Sequence, residues 1–581
     1  MKRTHTCGEL RASNIGKGVV LKGWVSKNRS HGGVLFIDLR DRYGITQLVI
    51  RPENKFFKVT EALRRESVIE ASGSVVKREQ VNPNIPTGDI EVVVDNILVL
   101  ANAEPLPVDY ENPDNISEDN RLKFRYLDLR RPEMQQRLTK RHLAAQAARE
   151  YMSGQGFLEI ETPLLIVSTP EGARDYVVPS RINPGKFYAL PQSPQIFKQI
   201  LMVSGMDRYF QLARCLRDED LRKDRQPEHT QIDIEMSFPD IDEFFTIIEG
   251  LIKNIWKKAG GIDIKTPFIR LSHQESMDKY GCDKPDLRFE MLLSDITDIA
   301  EHSEFGVFRD IAKSGGMIKC VCPDAQYSRK DFEELEKFVK LEGAKGIVML
   351  KVTDAGLEGS VAKFFNAELQ KKLVKRAQAK AGSTIFIIGD KPAITNACLA
   401  KLRNELGRRL NLCNPKDFRF AWVTDFPLYE WNKEENKWDM GHNPFSMPKE
   451  KDIDFIETDP GKVFCYQYDL ALNGVELGSG SIRNTNPELQ ARVLNVVGYS
   501  MDDIRKRFGF MLEAFRYGVP PHGGIGLGFD RIVALLCGLD DIREVIAFPK
   551  NKSAQNPMDG SPGEISAKQL DELHIKLNIP K

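Results

Sequence analysis

The chain has no excess of charge, no cysteine pattern and no long apolar run, and each of these absences removes a class of function. Lys plus Arg and Asp plus Glu number 83 each, so net charge gives no sign of a polyanionic partner until it is resolved along the chain. The nine cysteines are odd in number and include no C-x-x-C pair, and Cys320 and Cys322 stand too close together for the usual zinc spacing. Neither a disulfide framework nor a zinc site is expected, and a reducing cytoplasm is the natural compartment. No apolar stretch approaches the roughly 18 residues that a membrane helix needs, and the start MKRTHTCGEL carries no signal-peptide core. No membrane partner is expected. What the chain does have is length: 581 residues exceed one hydrophobic core and read as about three or four domains of a soluble protein.

Charge reappears when it is counted locally, because residues 1–80 hold 16 Lys and Arg against 8 Asp and Glu. From Gly18 to Leu100 short alternating runs recur (VVLKGWVSKN, GVLFIDLRD, ITQLVI, SVIEASGSVVKRE, DIEVVVDNILVL), with one helical interruption near Phe56 to Arg64. This is the pattern of a five-stranded OB-fold barrel, over residues 1–103. Such barrels present aromatic and basic side chains to unpaired bases, and Arg29, Phe36 and Gln47 fall on or beside the second and third candidate strands. Phe36, in VLFIDL, reads equally well as barrel core. Residues 104–132, rich in Pro, Asn and Asp without a sustained period, read as a hinge. Near Phe289 the pattern turns to alternating strands (GGMIKCVCP, GIVMLKV, GSTIFIIGD) and charged helices, an inserted α/β domain over 286–411. Residues 551–581 are a polar, helix-tending extension.

The most informative stretch runs from Arg208 to Phe238. YFQLARCLR and TQIDIEMSF alternate as half-buried strands do, and RDEDLRKDRQPEH between them mixes both charges. A solvated charge run is the plain reading. Arg217, however, ends an apolar strand, where desolvation is costly unless the guanidinium meets a phosphate or carboxylate, and Glu219 points to the same face. An Arg, one residue, a Glu and a loop closed by a second strand resembles the second signature motif of class II aminoacyl-tRNA synthetases. GIGLGFDRIVALL at 524–536 resembles the third, with glycines before Arg531 at the start of an apolar helix. REYMSGQGFLEIETPLL at 149–165 resembles the first. With TPEGARDY (169–176), QSPQIFKQ (192–199), GAKGIVMLKV (343–352) and GVELGSGSIR (474–483), nearly the whole chain is similar to bacterial-type aspartyl-tRNA synthetases.

The resemblance implies an α+β multidomain protein. Its parts are the OB-fold anticodon-binding barrel, the hinge, a catalytic domain of residues 133–285 and 412–550 on an antiparallel sheet, the insertion, and the C-terminal extension. It further implies a cytoplasmic homodimer that activates L-aspartate with ATP and transfers it from aspartyl-adenylate to the 3′-terminal ribose of tRNA(Asp). Positioning and charge neutralisation carry such chemistry. The catalytic pair would be Arg217, bridging the aspartate carboxylate and the α-phosphate, and Arg531, holding the far end of a bent triphosphate. Glu219 would accept from the adenine amino group, with Asp218, Gln226, His229, Glu476, Gly528, Phe529 and Asp530 completing the ATP site. Asp469 and Glu476, in YDLALNGVE, offer hard oxygens for Mg²⁺ shared with phosphates; on the bare sequence they read as surface carboxylates beside a turn. Arg483 and Lys198 would read the aspartate side chain, two buried cations against one anion, and so reject isosteric asparagine. Glu171 and Gln195 match groups around the α-amino end, and His442 belongs to the same set. In the barrel, Arg29, Phe36 and Gln47 would read the anticodon, Phe36 by stacking and Gln47 at the central uridine.

Two positions depart from the family pattern. MGHNPFSMP carries Asn443 where comparable bacterial members carry a second histidine after His442, and His229 stands where an aromatic residue commonly stacks on adenine. The like charges of Arg217 and Arg225 should keep His229 neutral. Asparaginyl- and lysyl-tRNA synthetases share the barrel and the three motifs, but the insertion argues against both. A paralogue that no longer charges tRNA usually lacks the barrel or a motif arginine, and both are present. His31 and Gly32 occur in the relaxed form of the family, which makes tRNA(Asn) a second candidate partner.

Overall fold

In the computed structural model, residues 2–109, 112, 115–169 and 173–579 are described. They form two compact units, Met1–Thr139 with Ala547–Gly563, and Lys140–Ile546 with Glu564–Lys581.

In the first unit, β1 (Gly18–His31), β2 (Val34–Asp41), β3 (Gly44–Ile50), β4 (Val68–Lys77) and β5 (Ile90–Ala101) close a barrel in the order β1-β2-β3-β5-β4. Alternation explains the closure: Leu35, Ile37 and Leu39 of β2 enter the core while Phe36 and Asp38 turn outward. The β1–β2 turn passes through Gly32 and Gly33, both at positive φ (58° and 78°), as a tight hairpin turn requires. A helix, Phe57–Glu61, interrupts the strands between β3 and β4. The stretch read as a hinge is more ordered than its composition implies. It holds helices Glu118–Lys123 and Arg125–Asp128, tied by Asp128, whose carboxylate accepts from Arg121, Arg125 and Arg131. A buried acid serving three arginines leaves no apolar period for a sequence reading to find.

The second unit is organised on an eight-stranded sheet. Its strands are β6 (Leu158–Glu159), β7 (Arg208–Leu216), β8 (Glu228–Ser237) and β9 (Ile269–Ser272). After the insertion, described below as β10 to β14, come β15 (Phe420–Thr424), β16 (Gln467–Leu472), β17 (Val475–Ile482) and β18 (His522–Gly528). The order is β9-β15-β16-β17-β18-β8-β7-β6, antiparallel apart from the edge pairs β9–β15 and β6–β7. One face carries Ile232 and Ile234 of β8, Phe420 and Trp422 of β15 and Ile525 of β18, packed under helix Ile241–Gly260 through Phe244, Ile248, Leu251, Ile255 and Trp256. Each such burial contributes roughly 2 kcal/mol. That helix is capped by Asp240, which accepts from two backbone N–H groups, and stops at left-handed Gly261. Because side chains alternate, Gln231, Asp233 and Glu235 of β8 point to the opposite face.

The inserted sheet comprises β10 (Ser294–Asp295), β11 (Met317–Val321), β12 (Val348–Thr353), β13 (Gly356–Glu358) and β14 (Thr384–Asp390) in the order β10-β11-β14-β12-β13. Two buried cations fasten its root. Lys319 of β11 donates to Met277 O, Asp278 O and Asn396 Oδ1, so it caps the C-terminal carbonyls of helix His273–Tyr280. Arg403 donates to Phe289 O, Glu290 O and Met291 O, with its guanidinium 4.0 Å from the Phe289 ring.

Candidate active site

The two strands of the charged motif, β7 and β8, pair from Leu216–Glu228 inward, and the loop between them opens a cavity of about 180 Å³. Arg217, Glu219, Gln226, His229, Glu476, Gly528, Asp530 and Arg531 line it. Arg217 reaches the cavity from the end of β7; its Nε donates to Gln192 O at 3.4 Å, and among the described residues it makes no ion pair. Glu219 accepts from Arg225 at 2.9 Å. Arg531 donates to Glu476 O and reaches Asp224 at 3.4 Å. The Asp218 N–H donates to Arg174 O, and its carboxylate lies 4.0 Å from Arg174. Burial depresses the His229 imidazole to about 3, assisted by the charges of Arg217, Arg214 and Arg531 rather than of Arg225.

The residues around Arg531 serve different ends. Phe529 points into the core beneath the sheet, with the Arg141 guanidinium 4.9 Å from its ring. Asp530 accepts from the Thr230 N–H at 2.7 Å and from Arg141, which also reaches Thr230 Oγ1. Its carboxylate thus ties the third motif to β8. Arg141 escaped the sequence reading because its partner lies 389 residues away.

The odd residues of β8 lead from this cavity to a buried ionic network. Lys198, on helix Gln195–Val203, is 2.7 Å from Asp233 and 3.3 Å from Glu235. Arg483 grips Glu235 with two bonds of 2.8 and 3.0 Å and also donates to Ser481. All four are at most 3% exposed. The expectation of two cations awaiting one anion is therefore corrected: both are already neutralised by protein carboxylates, as burial of charge demands. Burial pushes the Glu235 carboxyl up, but Arg483 and Lys198 outweigh it and hold the group at about 2. Burial dominates at Asp233, whose acidity is weakened. The signal for both acids was present in TQIDIEMSF, where Asp and Glu alternate with Ile and Met; it reads as a solvent face unless the sheet is covered on both sides.

Within this network two polar atoms have no hydrogen-bond partner among the described residues: Asp233 Oδ2, an acceptor, and Gln195 Nε2, a donor. Asn443 donates to Gln195 Oε1 at 3.2 Å. His442 packs edge-on against Phe426, and burial lowers its pKa. Glu171 lies outside the described residues.

β18 runs beside β8 with glycines at 524, 526 and 528, and at Gly524 the absence of a side chain is required. A Cβ at Gly524 would stand 2.0 Å from Glu235 Oε2, and one at Gly526 3.2 Å from Gln231 Oε1. On β17, Gly478 and Gly480 would meet the β18 carbonyls at 2.5 and 2.2 Å.

Asp469 and Glu476 stand on the β16–β17 hairpin, Asp469 fully buried rather than on the surface. Burial first, then the charges of Glu476 and Asp283, push the Asp469 carboxyl well up. A carboxylate pair strained in this way fits Mg²⁺, whose remaining oxygens would come from phosphate and water, since the described residues hold no larger cluster of metal-ligating side chains.

In the barrel, Phe36 faces outward rather than into the core, opposite Arg29 on β1. Arg29 donates to Asp38 at 2.8 Å, and Gln47, opposite Asp38 on β3, donates to Glu91 at 2.8 Å. The three predicted residues thus lie on adjacent strands, with the Arg29 side chain half exposed and Gln47 largely buried.

Comparison with known proteins agrees with this architecture. The family model of tRNA synthetases class II (D, K and N) matches residues 117–552, and that of the OB-fold nucleic acid binding domain matches residues 19–100. The chain is 50% identical to the aspartate–tRNA(Asp/Asn) ligase of Caldanaerobacter subterraneus subsp. tengcongensis over 100% of its own length and 99% of the relative's. It is 47% identical to the aspartate–tRNA ligase of Ruminiclostridium cellulolyticum over 99% and 98%. Among solved structures it is similar in fold, at 20% identity, to the asparaginyl-tRNA synthetase of Pyrococcus horikoshii complexed with asparaginyl-adenylate, with a TM-score of 0.61 over 94% of this chain and 98% of the other. A cavity lined by two motif arginines, a barrel with a half-buried aromatic on its outer face, and relatives matched from end to end place this chain in the class II tRNA synthetases of the D, K and N group.

Proposed function

We propose that the chain is an aspartate–tRNA ligase, which activates L-aspartate with ATP and transfers it to the 3′-terminal ribose of tRNA(Asp) and, as in the relatives named for both, of tRNA(Asn). The observation that carries this reading is the buried network on β8, where two cations stand with Asp233, whose Oδ2 has no hydrogen-bond partner among the described residues. Asp233 Oδ2 would take the substrate ammonium, and Lys198 and Arg483 its side-chain carboxylate. An aspartate carboxylate would compete with Glu235 for the two cations, whereas the uncharged amide of asparagine would not, and that difference favours aspartate.

At the other end, Arg217 has no carboxylate partner among the described residues and would sit between the substrate carboxylate and the α-phosphate. There it stabilises charge that develops on the equatorial oxygens as the anhydride forms. Arg531, placed at a helix start by Gly528, would hold the distal phosphates, and Glu219 the adenine amino group. Asp469 and Glu476 would hold Mg²⁺, which when bound neutralises phosphate charge. Neutral His229 would stack on adenine. In the second step the ribose hydroxyl attacks the adenylate carbonyl, with Arg217 keeping the leaving phosphate compensated.

The barrel face around Phe36 would bind the anticodon. Free cysteines throughout the described residues accord with a cytoplasmic enzyme, and no helix among them is long and apolar enough to cross a membrane. A homodimer accords with the exposed apolar residues Leu158, Leu164, Leu165 and Val167 beside edge strand β6. Pyrophosphate exchange with aspartate, asparagine and lysine in turn tests the amino-acid assignment: exchange with aspartate alone is expected, and equal exchange with asparagine refutes it. Charging purified tRNA(Asp) and tRNA(Asn) then separates the two tRNA specificities, and light scattering tests the dimer.

A further inference from the structure

We infer that Lys284 is a further phosphate-positioning residue, a cation that the root of the inserted sheet presents to the triphosphate beside Glu476. The inference rests on the ATP-dependent activation proposed above. Lys284 Nζ lies 4.0 Å from Glu476 Oε2 and 3.7 Å from Asp283 Oδ1. Both are ion-pair separations too long for hydrogen bonds, and its ammonium donates none to another described residue. Glu476 in turn lines the same cavity as Arg217 and Arg531, and its main-chain carbonyl is held by Arg531.

The main chain beneath Lys284 is fixed from several directions, so the position of this lysine is not incidental. Helix His273–Tyr280 ends at Gly281, which is left-handed at φ 73° and packed so closely that a Cβ would stand 2.5 Å from Asn396 O. Ser276 Oγ donates to Cys282 O at 2.6 Å, and Cys282 Sγ lies 3.4 Å from Lys284 O. Lys319 of the inserted sheet grips the carbonyls of Met277 and Asp278 one turn earlier, and Asn396 from the same domain. On this clamped backbone stands a four-carbon side chain with rotatable donors, half exposed and able to extend. A Glu476 that held Mg²⁺ would no longer offer its oxygen to the ammonium. Lys284, then facing only Asp283 at 3.7 Å, would be free to extend to the phosphate oxygens of a bound triphosphate. The insertion thereby gains a role at the active site: its root holds a phosphate ligand in place.

The test uses the full chain with Lys284→Gln, Lys284→Arg and, as a control on the preceding helix, Lys279→Gln, whose ammonium pairs with Glu275. Substrate KM values are measured by pyrophosphate exchange, and ATP binding in the presence of Mg²⁺ by calorimetry. Loss of one charge-assisted contact should raise the ATP KM and Kd by about tenfold in Lys284→Gln, with the aspartate KM within about twofold. Lys284→Arg should restore most of the binding, and Lys279→Gln should match the wild type. An unchanged ATP Kd in Lys284→Gln overturns the inference, as do equal shifts for both substrates or no rescue by arginine. Should the wild type show no aspartate-dependent exchange, the functional reading fails separately, and the calorimetric comparison still decides the role of Lys284.

Discussion

The two ends of β8 treat charge in opposite ways. Toward Ser237, Asp233 and Glu235 hold Lys198 and Arg483 in a closed network from which water is excluded. Toward Glu228, among the described residues Arg217 is left without an ion pair and Asp224, at 3.4 Å, is the one carboxylate that Arg531 reaches. On the assignment proposed above, the difference follows from what each end would recognise. A small amino acid must be told from its isostere, which calls for rigid, pre-aligned charges whose positions are fixed before binding. A triphosphate carries ample charge of its own, and cations left unneutralised attract and orient it with little discrimination. One end is built for selection, the other for attraction.

Breaking the closed end should have the largest effect, and on two observables at once. Arg483→Leu leaves the buried Glu235 with Lys198, 3.3 Å away and shared with Asp233, as its remaining cation among the described residues, so unfolding stability should fall by about 3 kcal/mol in urea titrations, with aspartate-dependent exchange reduced more than about hundredfold. Adding Glu235→Leu removes the under-compensated charge. The double variant should recover much of the stability and none of the activity, and recovery of both would show that the network is scaffolding alone. At the open end the two observables should separate. Arg217→Ala should lower exchange by about a hundredfold while stability stays within about 0.5 kcal/mol; a large loss of stability would erase the contrast between the ends.

Residues that touch neither end sharpen it further. Phe36→Ala and Gln47→Ala should weaken tRNA charging by about tenfold, the scale of one lost base stack or hydrogen bond, with exchange unchanged. Equal losses in both assays would mean that the barrel had been destabilised. The smallest effect is expected at His229. Its folded pKa of about 3 lies below the ordinary value of about 6.5. The unfolded chain therefore takes up the proton first, and this residue costs stability progressively as pH falls from about 6.5 toward 3. Between pH 6 and 8 the ring is neutral in the fold, so the ATP KM should show no inflection from it. His229→Phe should hold or improve ATP affinity and flatten the acid slope of stability, whereas a marked loss of affinity would remove His229 from the adenine site.

Much of the scaffold was legible because it rests on local periodicity. Leu35, Ile37 and Leu39 alternate with Phe36 and Asp38, and the apolar stripe of Ile241–Gly260 is bounded by Asp240 and Gly261. The arginines of the site were legible too, since Arg217 and Arg531 sit at the ends of apolar elements where a lone cation is anomalous. Their partnerships were not. Glu235 and Arg483 are 248 residues apart, and Arg141 and Asp530 are 389 apart, so no local pattern connects them. Asp233 and Glu235 were passed over for a related reason: alternation reports that a residue leaves the core beneath the sheet and is silent on whether water lies above it. The helices around Asp128 were not legible because they are ordered by ion pairs rather than by an apolar face.

The glycines of β17 and β18 bear on the entropy of binding. Where they border the site, Gly524 and Gly526 place bare main chain against Glu235 and Gln231. A surface of this kind has no rotamers to freeze when a ligand settles on it, whereas ordering an exposed long side chain costs up to about 2 kcal/mol. It also has no side chain that could drift into the space and compete with the ligand. The loss of configurational freedom was incurred when the strands paired, during folding, and is not incurred again at each turnover.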